Sequence, residues 1–319
     1  MKRTLSLTVV CLLVLAVGTG VSVAQLEYAG THPFALATAT TTRLFGMGGI
    51  TSCIPDRGFA NPAFAGQLTS WSKVERGATT DFDSGLTLKG VQTSVAMPLH
   101  RNVDGLQVTA FNLRSNLFVA PGPVVYKLAE NDVAIHYGRR ISGPLLVGLA
   151  VSPVYHNSFN AIPVALMRSS ANYGVRVGAA YELKGRGWLG ATYDRYDEDV
   201  HILTLGPALN FTAHAEEITG GASYQLTDHW LAALEWQQLS TEAGALRFSN
   251  AGWRGGIEGR FQDMCVRLGS NQGSMSLGLG WQWRRFTFNY AYIGDWNRDI
   301  LGPTFGSSTT NSLEVTCAF

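Results

Sequence analysis

Beyond its first two dozen residues, the chain has no uninterrupted apolar run of about 18 residues, so it offers no helix that could span a membrane. Charge is also scarce: 15% of residues are charged, against the usual quarter. Neither sign dominates, since the formal net charge is +1. A nucleic-acid partner is excluded, because binding one calls for a basic field. The seven histidines show no paired His-x-x-x-His spacing, so no metal site is expected. There is no Gly-x-Ser-x-Gly elbow and no phosphate loop, so neither a catalytic residue nor a cofactor is expected. Cysteine is sparse, with four in all.

What is present begins with a leader. Lys2 and Arg3 precede an apolar run from Leu5 to Val17, and Ser22-Val23-Ala24 supplies the small residues of a signal-peptidase site. Residues 1–24 are therefore expected to be a secretory signal peptide. Its removal takes the formal charge from +1 to −1 and leaves Cys53, Cys265 and Cys317. In an oxidising compartment these give either one disulfide and one leftover thiol, or three small hydrophobes.

The rest of the chain alternates. Met275, Leu277, Leu279, Trp281 and Trp283 are set against Ser276, Gly278, Gly280, Gln282 and Arg284. Phe286, Phe288, Tyr290 and Tyr292 repeat the pattern, as do the stretches from Tyr173 to Leu183 and from Trp230 to Trp236. Period 2 means strands. A membrane protein without spanning helices must be a closed barrel, since lipid satisfies no free backbone group. Trp188, Trp230, Trp283 and Tyr292 lie near strand ends, where interfacial aromatic girdles sit. Turn signals at 102–105, 142–144, 184–187, 226–229 and 262–263 alternate with longer connections at about 119–130, 157–169, 197–213, 241–250 and 294–309. Short turns at one end and long loops at the other are the habit of outer-membrane barrels. The expectation is an all-β transmembrane antiparallel barrel of about 14 strands (12–16) over residues 66–319. Its first strand falls near 66–76, and Val200–Phe211 is mostly loop. Arg176, Glu182, Glu235, Gln237 and Arg284 are expected to face the lumen.

Residues 25–65 do not alternate. They hold Arg43-Leu-Phe-Gly-Met-Gly-Gly49, Asp56 and Asn61-Pro-Ala63. This order resembles the start of the long-chain fatty-acid transporter family (the FadL and toluene-transporter barrels), and equally that of the PorV/PorQ-type barrels. Asn289-Tyr-Ala-Tyr292 and the stretch Leu313–Phe319 resemble the end of the same families. The terminal Phe319 also resembles the assembly signal of bacterial outer-membrane barrels, which implies the barrel-assembly machinery as a partner. The resemblance implies an outer-membrane location among lipid and lipopolysaccharide, no enzymatic activity, and a plug shaped by Gly46, Gly48, Gly49, Asp56, Asn61 and Pro62. The alternative for that segment is a static turn leading into the first strand.

Two expected outer loops are unusually apolar. One holds Val124, Val125 and Tyr126; the other holds Ile162, Val164, Leu166 and Met167. They read as the surface where a hydrophobic ligand enters, as a docking surface for a partner protein, or as loops packed on each other. The acidic run Tyr193–Asp199 reads as a cation site or a solvated loop. Three functions stay open, the third being a barrel that serves only as structure or as a general porin. The first is a channel admitting hydrophobic small molecules such as long-chain fatty acids or aromatics. The second is a PorV-like barrel binding partner proteins in secretion or surface attachment.

Overall fold

The computed structural model describes residues 41–57, 60–119, 125–162, 165–170, 174–204, 209–243, 246–295 and 306–319. The expected signal peptide lies outside the described residues, as do Val124 and Val164. No helix among the described residues is long and apolar enough to cross a membrane.

The sheet closes on itself. Its strands are β1 Ser72–Phe82, β2 Thr87–His100, β3 Asp104–Ser115, β4 Phe118–Val119, β5 Val125–Ser142, β6 Leu145–Ile162, β7 Ala165–Ser170 and β8 Gly174–Glu182. They continue as β9 Gly187–Thr204, β10 Leu209–Gln225, β11 Trp230–Ala243, β12 Leu246–Phe261, β13 Met264–Asn271, β14 Ser274–Trp283, β15 Phe286–Gly294 and β16 Ser308–Ala318. β4 is a two-residue rung on β5. β7 and β8 follow one another between β6 and β9, sharing one position in the wall. The remaining neighbours run antiparallel, and β16 pairs with β1 from Ser72↔Ala318 to Phe82↔Ser308. The result is the expected closed barrel of 14 strands, which leaves no sheet edge to face lipid.

The alternation sorts the wall. On β14, Met275, Leu277, Leu279, Trp281 and Trp283 point outward and are 47–62% exposed, while Ser274 and Ser276 are buried inside. On β16, Leu313 and Val315 are outward, as is Phe319 just beyond it, and Ser312 and Glu314 are inward. An apolar exterior over a polar interior suits a wall that faces hydrocarbon. Stacked Trp281, Trp283, Phe286 and Phe288 form an aromatic band at the end carrying the short turns. All the expected turns lie at that end, with left-handed Asn102, Gly143, Lys184 and Gln262 at four of them.

Four expectations need correction. β1 begins at Ser72, because Pro62–Gln67 is a 3-10 helix. The long connections are shorter than read: β9 runs to Thr204 and β10 resumes at Leu209, so much of 200–211 is strand. These strands continue past the apolar belt because polar cross-strand pairs replace lipid contact there. His214 Nδ1 and Asp197 lie 2.6 Å apart, and the Thr212 hydroxyl donates to Asp199 at 2.9 Å. The acidic run is thus largely paired along a ladder, with no group of metal ligands among the described residues. Thirdly, Trp188 does not face the girdle. It turns inward and meets Phe64 edge-on at 5.4 Å. Arg284 likewise sits in a turn, against Trp283, and not in the lumen. Cys53, Cys265 and Cys317 are all free.

Candidate functional site: a plug seated across the lumen

Residues 41–57 and 60–68 lie inside the barrel, against its inner wall. The helix α1, Thr42–Phe45, starts under a Thr41 side chain that accepts from the Leu44 amide. It ends at once because Gly48 and Gly49 take φ of +82° and +76°, a conformation that side-chain-bearing residues rarely adopt. The Gly49 amide closes the turn on the Leu44 carbonyl at 2.8 Å. The 3-10 helix η1, Pro62–Gln67, is capped by Asn61, whose side chain accepts from the Ala63 amide at 3.0 Å. Pro62 stands at the first helical position, where no amide hydrogen is needed. Leu44, Phe45, Met47, Ile50, Ile54 and Phe64 are almost fully buried.

The wall is cut to receive this backbone. Gly105, Gly138, Gly148 and Gly178 are direct cross-strand partners on β3, β5, β6 and β8, forming one continuous glycine row. η1 and its cap lie on that row. A Cβ on Gly148 would stand 2.3 Å from the Ala63 nitrogen, and one on Gly178 would stand 2.1 Å from Asn61 Oδ1. Gly190 and Gly221 pair beside Ser52 and Cys53, and Gly256 and Gly269 pair beneath Met47 and Gly48.

Three wall glutamates then hold the plug. Glu258 receives a two-pronged bond from Arg43 at 2.8 and 2.9 Å, with Arg267 at 2.7 Å and Arg260 at 2.8 Å on the same carboxylate. Burial works against the Arg43 charge, but Glu258 outweighs it and raises the guanidinium pKa. Glu235 accepts the Thr51 amide at 2.9 Å, the Thr51 hydroxyl at 3.1 Å and the Ser52 amide at 2.5 Å. Glu314 accepts the Thr42 amide at 2.9 Å. Two arginines reach plug carbonyls: Arg254 to Gly49 at 3.0 Å and Arg176 to Ala60 at 2.9 Å. Asn61 donates to Ser52 O at 2.8 Å and to Ala179 O at 3.1 Å, tying plug and wall together. Burial, with Glu235 nearby, holds the Cys53 thiol well above its ordinary range, so it is a packed apolar group.

Gly46, Gly48, Gly49, Asp56, Asn61 and Pro62 therefore lie in one seated segment. Asp56 accepts from the Thr41 hydroxyl and the Arg57 amide. The apolar stretches do not sit with them. Val125 and Ile162 are cross-strand partners at the far end of β5 and β6, and Leu166 and Met167 pair into β7. They belong to strands rather than loops. Sequence reasoning marked Glu235 and Arg176 as lumen-facing but missed Glu258, Glu314 and the glycine row. The row had a signal, since these glycines occupy inward positions of alternating strands. The register needed to align them was not in the sequence.

On either side of the plug the lining is polar. Toward the short turns lies a vestibule of about 480 Å³ that includes Arg43, Arg57, Arg260 and Arg267. On the other side, Glu130, Asp132, His136, Asp194 and Glu217 are buried on the inner wall. Both carboxylate oxygens of Glu130 lack a hydrogen-bond partner among the described residues.

No family model and no curated protein sequence matches the chain. Solved structures do. The CymD monoaromatic hydrocarbon channel matches with a TM-score of 0.59 and 14% identity, covering 86% of this chain and 96% of that one. The Ralstonia pickettii toluene transporter TbuX matches at 0.59 and 13%, covering 88% and 99%. A Pseudomonas aeruginosa FadL homologue matches at 0.60 and 13%, covering 88% and 98%. The resemblance read from the two ends of the sequence thus holds for the architecture: the chain has the fold of the FadL-type hydrocarbon channels.

Proposed function

We propose that this chain is a bacterial outer-membrane channel admitting hydrophobic small molecules, of the long-chain fatty-acid or monoaromatic kind. The observation that carries the reading is the plug seated across the lumen of a barrel whose fold is shared with toluene transporters and monoaromatic hydrocarbon channels. The plug falls within the segment 25–65 and runs on through η1, and the barrel falls within 66–319, from β1 onward. Gly46, Gly48, Gly49, Asp56, Asn61 and Pro62 shape the plug, and its displacement opens the path. Val124, Val125, Tyr126, Ile162, Val164, Leu166 and Met167 supply an apolar surface at the far rim, where the ligand first binds. No chemistry on the ligand is involved. Phe319 serves recognition by the assembly machinery, and lipid with lipopolysaccharide surrounds the barrel.

The test is binding of a fluorescent long-chain fatty acid to the detergent-purified barrel, competed with oleate and with alkylbenzenes. Saturable binding that weakens when Val125, Ile162 or Leu166 is changed to Asp is the expected result. No binding to a barrel that still shifts on SDS gels with boiling would overturn this reading. It would favour the PorV-like role, binding of a partner protein.

A further inference from the structure

The exterior of the barrel is not evenly convex. Over β12 to β15 the wall carries a furrow of about 690 Å³, within the range of about 300–1,000 Å³ for small-ligand pockets. Val266, Leu268, Leu277 and Leu279 form its floor. All four point outward, and the cross-strand register sets them in two rows, Val266↔Leu279 and Leu268↔Leu277. One bank is Trp230, whose ring lies over Gly259. The other bank is Tyr290 and Tyr292 on β15, the partners of Leu279 and Leu277. Aromatic rings stand taller than Val or Leu, so two aromatic banks around an aliphatic floor leave a trough.

The floor also has an unusual back. Directly behind it, Gly269 and Gly278 face the lumen and touch the plug. A Cβ on Gly269 would stand 2.1 Å from the Gly48 nitrogen, and one on Gly278 would stand 3.0 Å from Gly46 Cα. At these two glycines the wall is one backbone thick, while Arg267, the partner of Gly278, points inward beside them to Glu258.

We propose that this furrow is a binding site for a hydrocarbon chain, occupied by an acyl chain of a membrane lipid. The furrow lies within the lipid-facing belt, so its occupant arrives without leaving the bilayer. Its floor and two banks offer an apolar chain contact on three sides. Because the same glycines seat the plug, filling the furrow stiffens the wall that holds it. The site lies outside the lumen and does not depend on what the channel admits.

The experiment places the intact barrel in nanodiscs doped with a phospholipid carrying a photoreactive acyl chain, and maps adducts by peptide mass spectrometry. The expected result is several-fold more labelling at Val266, Leu268, Leu277 and Leu279 than at the comparably exposed belt residues Leu149, Leu189 and Leu234. Even labelling around the belt would overturn the proposal. So would labelling of the furrow by a photoreactive free fatty acid but not by the phospholipid, since a free hydrocarbon would then be its occupant. Leu277→Trp fills the floor and is expected to erase the excess in a barrel that remains heat-modifiable, while an excess that persists in that variant counts against the furrow. The wild-type map decides the matter alone should that variant not assemble.

Discussion

Glu258→Gln is expected to release the plug without unfolding the barrel. The Glu258 carboxylate is fully buried and carries bonds from three arginines. The substitution keeps the shape of the side chain but leaves Arg43 and Arg267 beside a neutral amide. Breaking a buried pair in this way costs about 3–5 kcal/mol. Because the amide oxygen still accepts one bond, the lower end applies, about 3 kcal/mol. Arg43 then keeps only its bond to the Pro55 carbonyl at 3.0 Å. The wall keeps its ladders on both sides of β12, so the loss falls on plug docking. Hydrogen exchange reads it directly. The amides of Phe45, Gly46 and Gly49 are bonded within the plug and exchange when it opens. A loss of about 3 kcal/mol should speed them by about 10²-fold, with β12 amides unchanged. Arg260 is the internal control. It touches the same carboxylate but is half exposed, so Arg260→Ala should alter exchange by less than about fivefold. Equal acceleration in plug and strands, or plug exchange unaltered by Glu258→Gln, would refute the idea that this carboxylate latches the plug.

Other perturbations test other parts of the argument. Gly148→Ala places a methyl against the Ala63 nitrogen and the Pro62 carbonyl carbon, so η1 should lift from its trough. Planar-bilayer conductance should rise while gel mobility still shifts on boiling, and an unchanged conductance would count against the trough. Glu130→Gln removes a buried carboxyl whose oxygens lack partners among the described residues. It should raise the urea midpoint of the detergent-solubilised barrel, by about 1–3 kcal/mol of unfolding free energy. Leu279→Arg puts a charge on the outward face of the belt, where it should cost about 2–4 kcal/mol and reduce the assembled fraction in membranes.

The barrel was legible because one face of each wall strand meets hydrocarbon. Leu277, Leu279 and Trp281 advertise β14 as plainly as any propensity could, and the left-handed turns at Asn102, Lys184 and Gln262 coincide with the turn signals read from the chain. Legibility stops where lipid stops. Beyond Tyr193 and Ile218 the outward positions Arg195, Asp197, Asp199, Glu216, His214 and Thr212 are polar, so the period-2 signal disappears although the ladder continues. Those residues therefore read as loops. The apolar residues Val125 and Ile162 misled in the opposite sense, since they seemed too apolar for a loop and are in fact paired strand residues. Trp188 misled for a third reason. Its position near a strand end suggested the girdle, but residue parity places it on the inner face, against Phe64.

The plug shows why its site was only half visible. Its own residues carry local signals: a cap at Thr41, paired glycines with positive φ, and Asn-Pro at the start of η1. What the plug rests on carries none. A glycine at an inward strand position is unremarkable by itself, since a small residue suits any crowded interior. Gly105, Gly138, Gly148 and Gly178 gain meaning only when the register places them side by side. A barrel wall with inward side chains keeps a lumenal segment at arm's length. A row of glycines instead brings the two backbones into contact, and there the wall carboxylates Glu235 and Glu314 can accept plug amides directly. The close approach and the buried acceptors are thus two parts of one requirement. Plug amides that find no partner within their own segment must be satisfied by the protein that encloses it. Seating by bonds to the wall, beside the buried Leu44, Met47, Ile50 and Phe64, makes the plug specific in position.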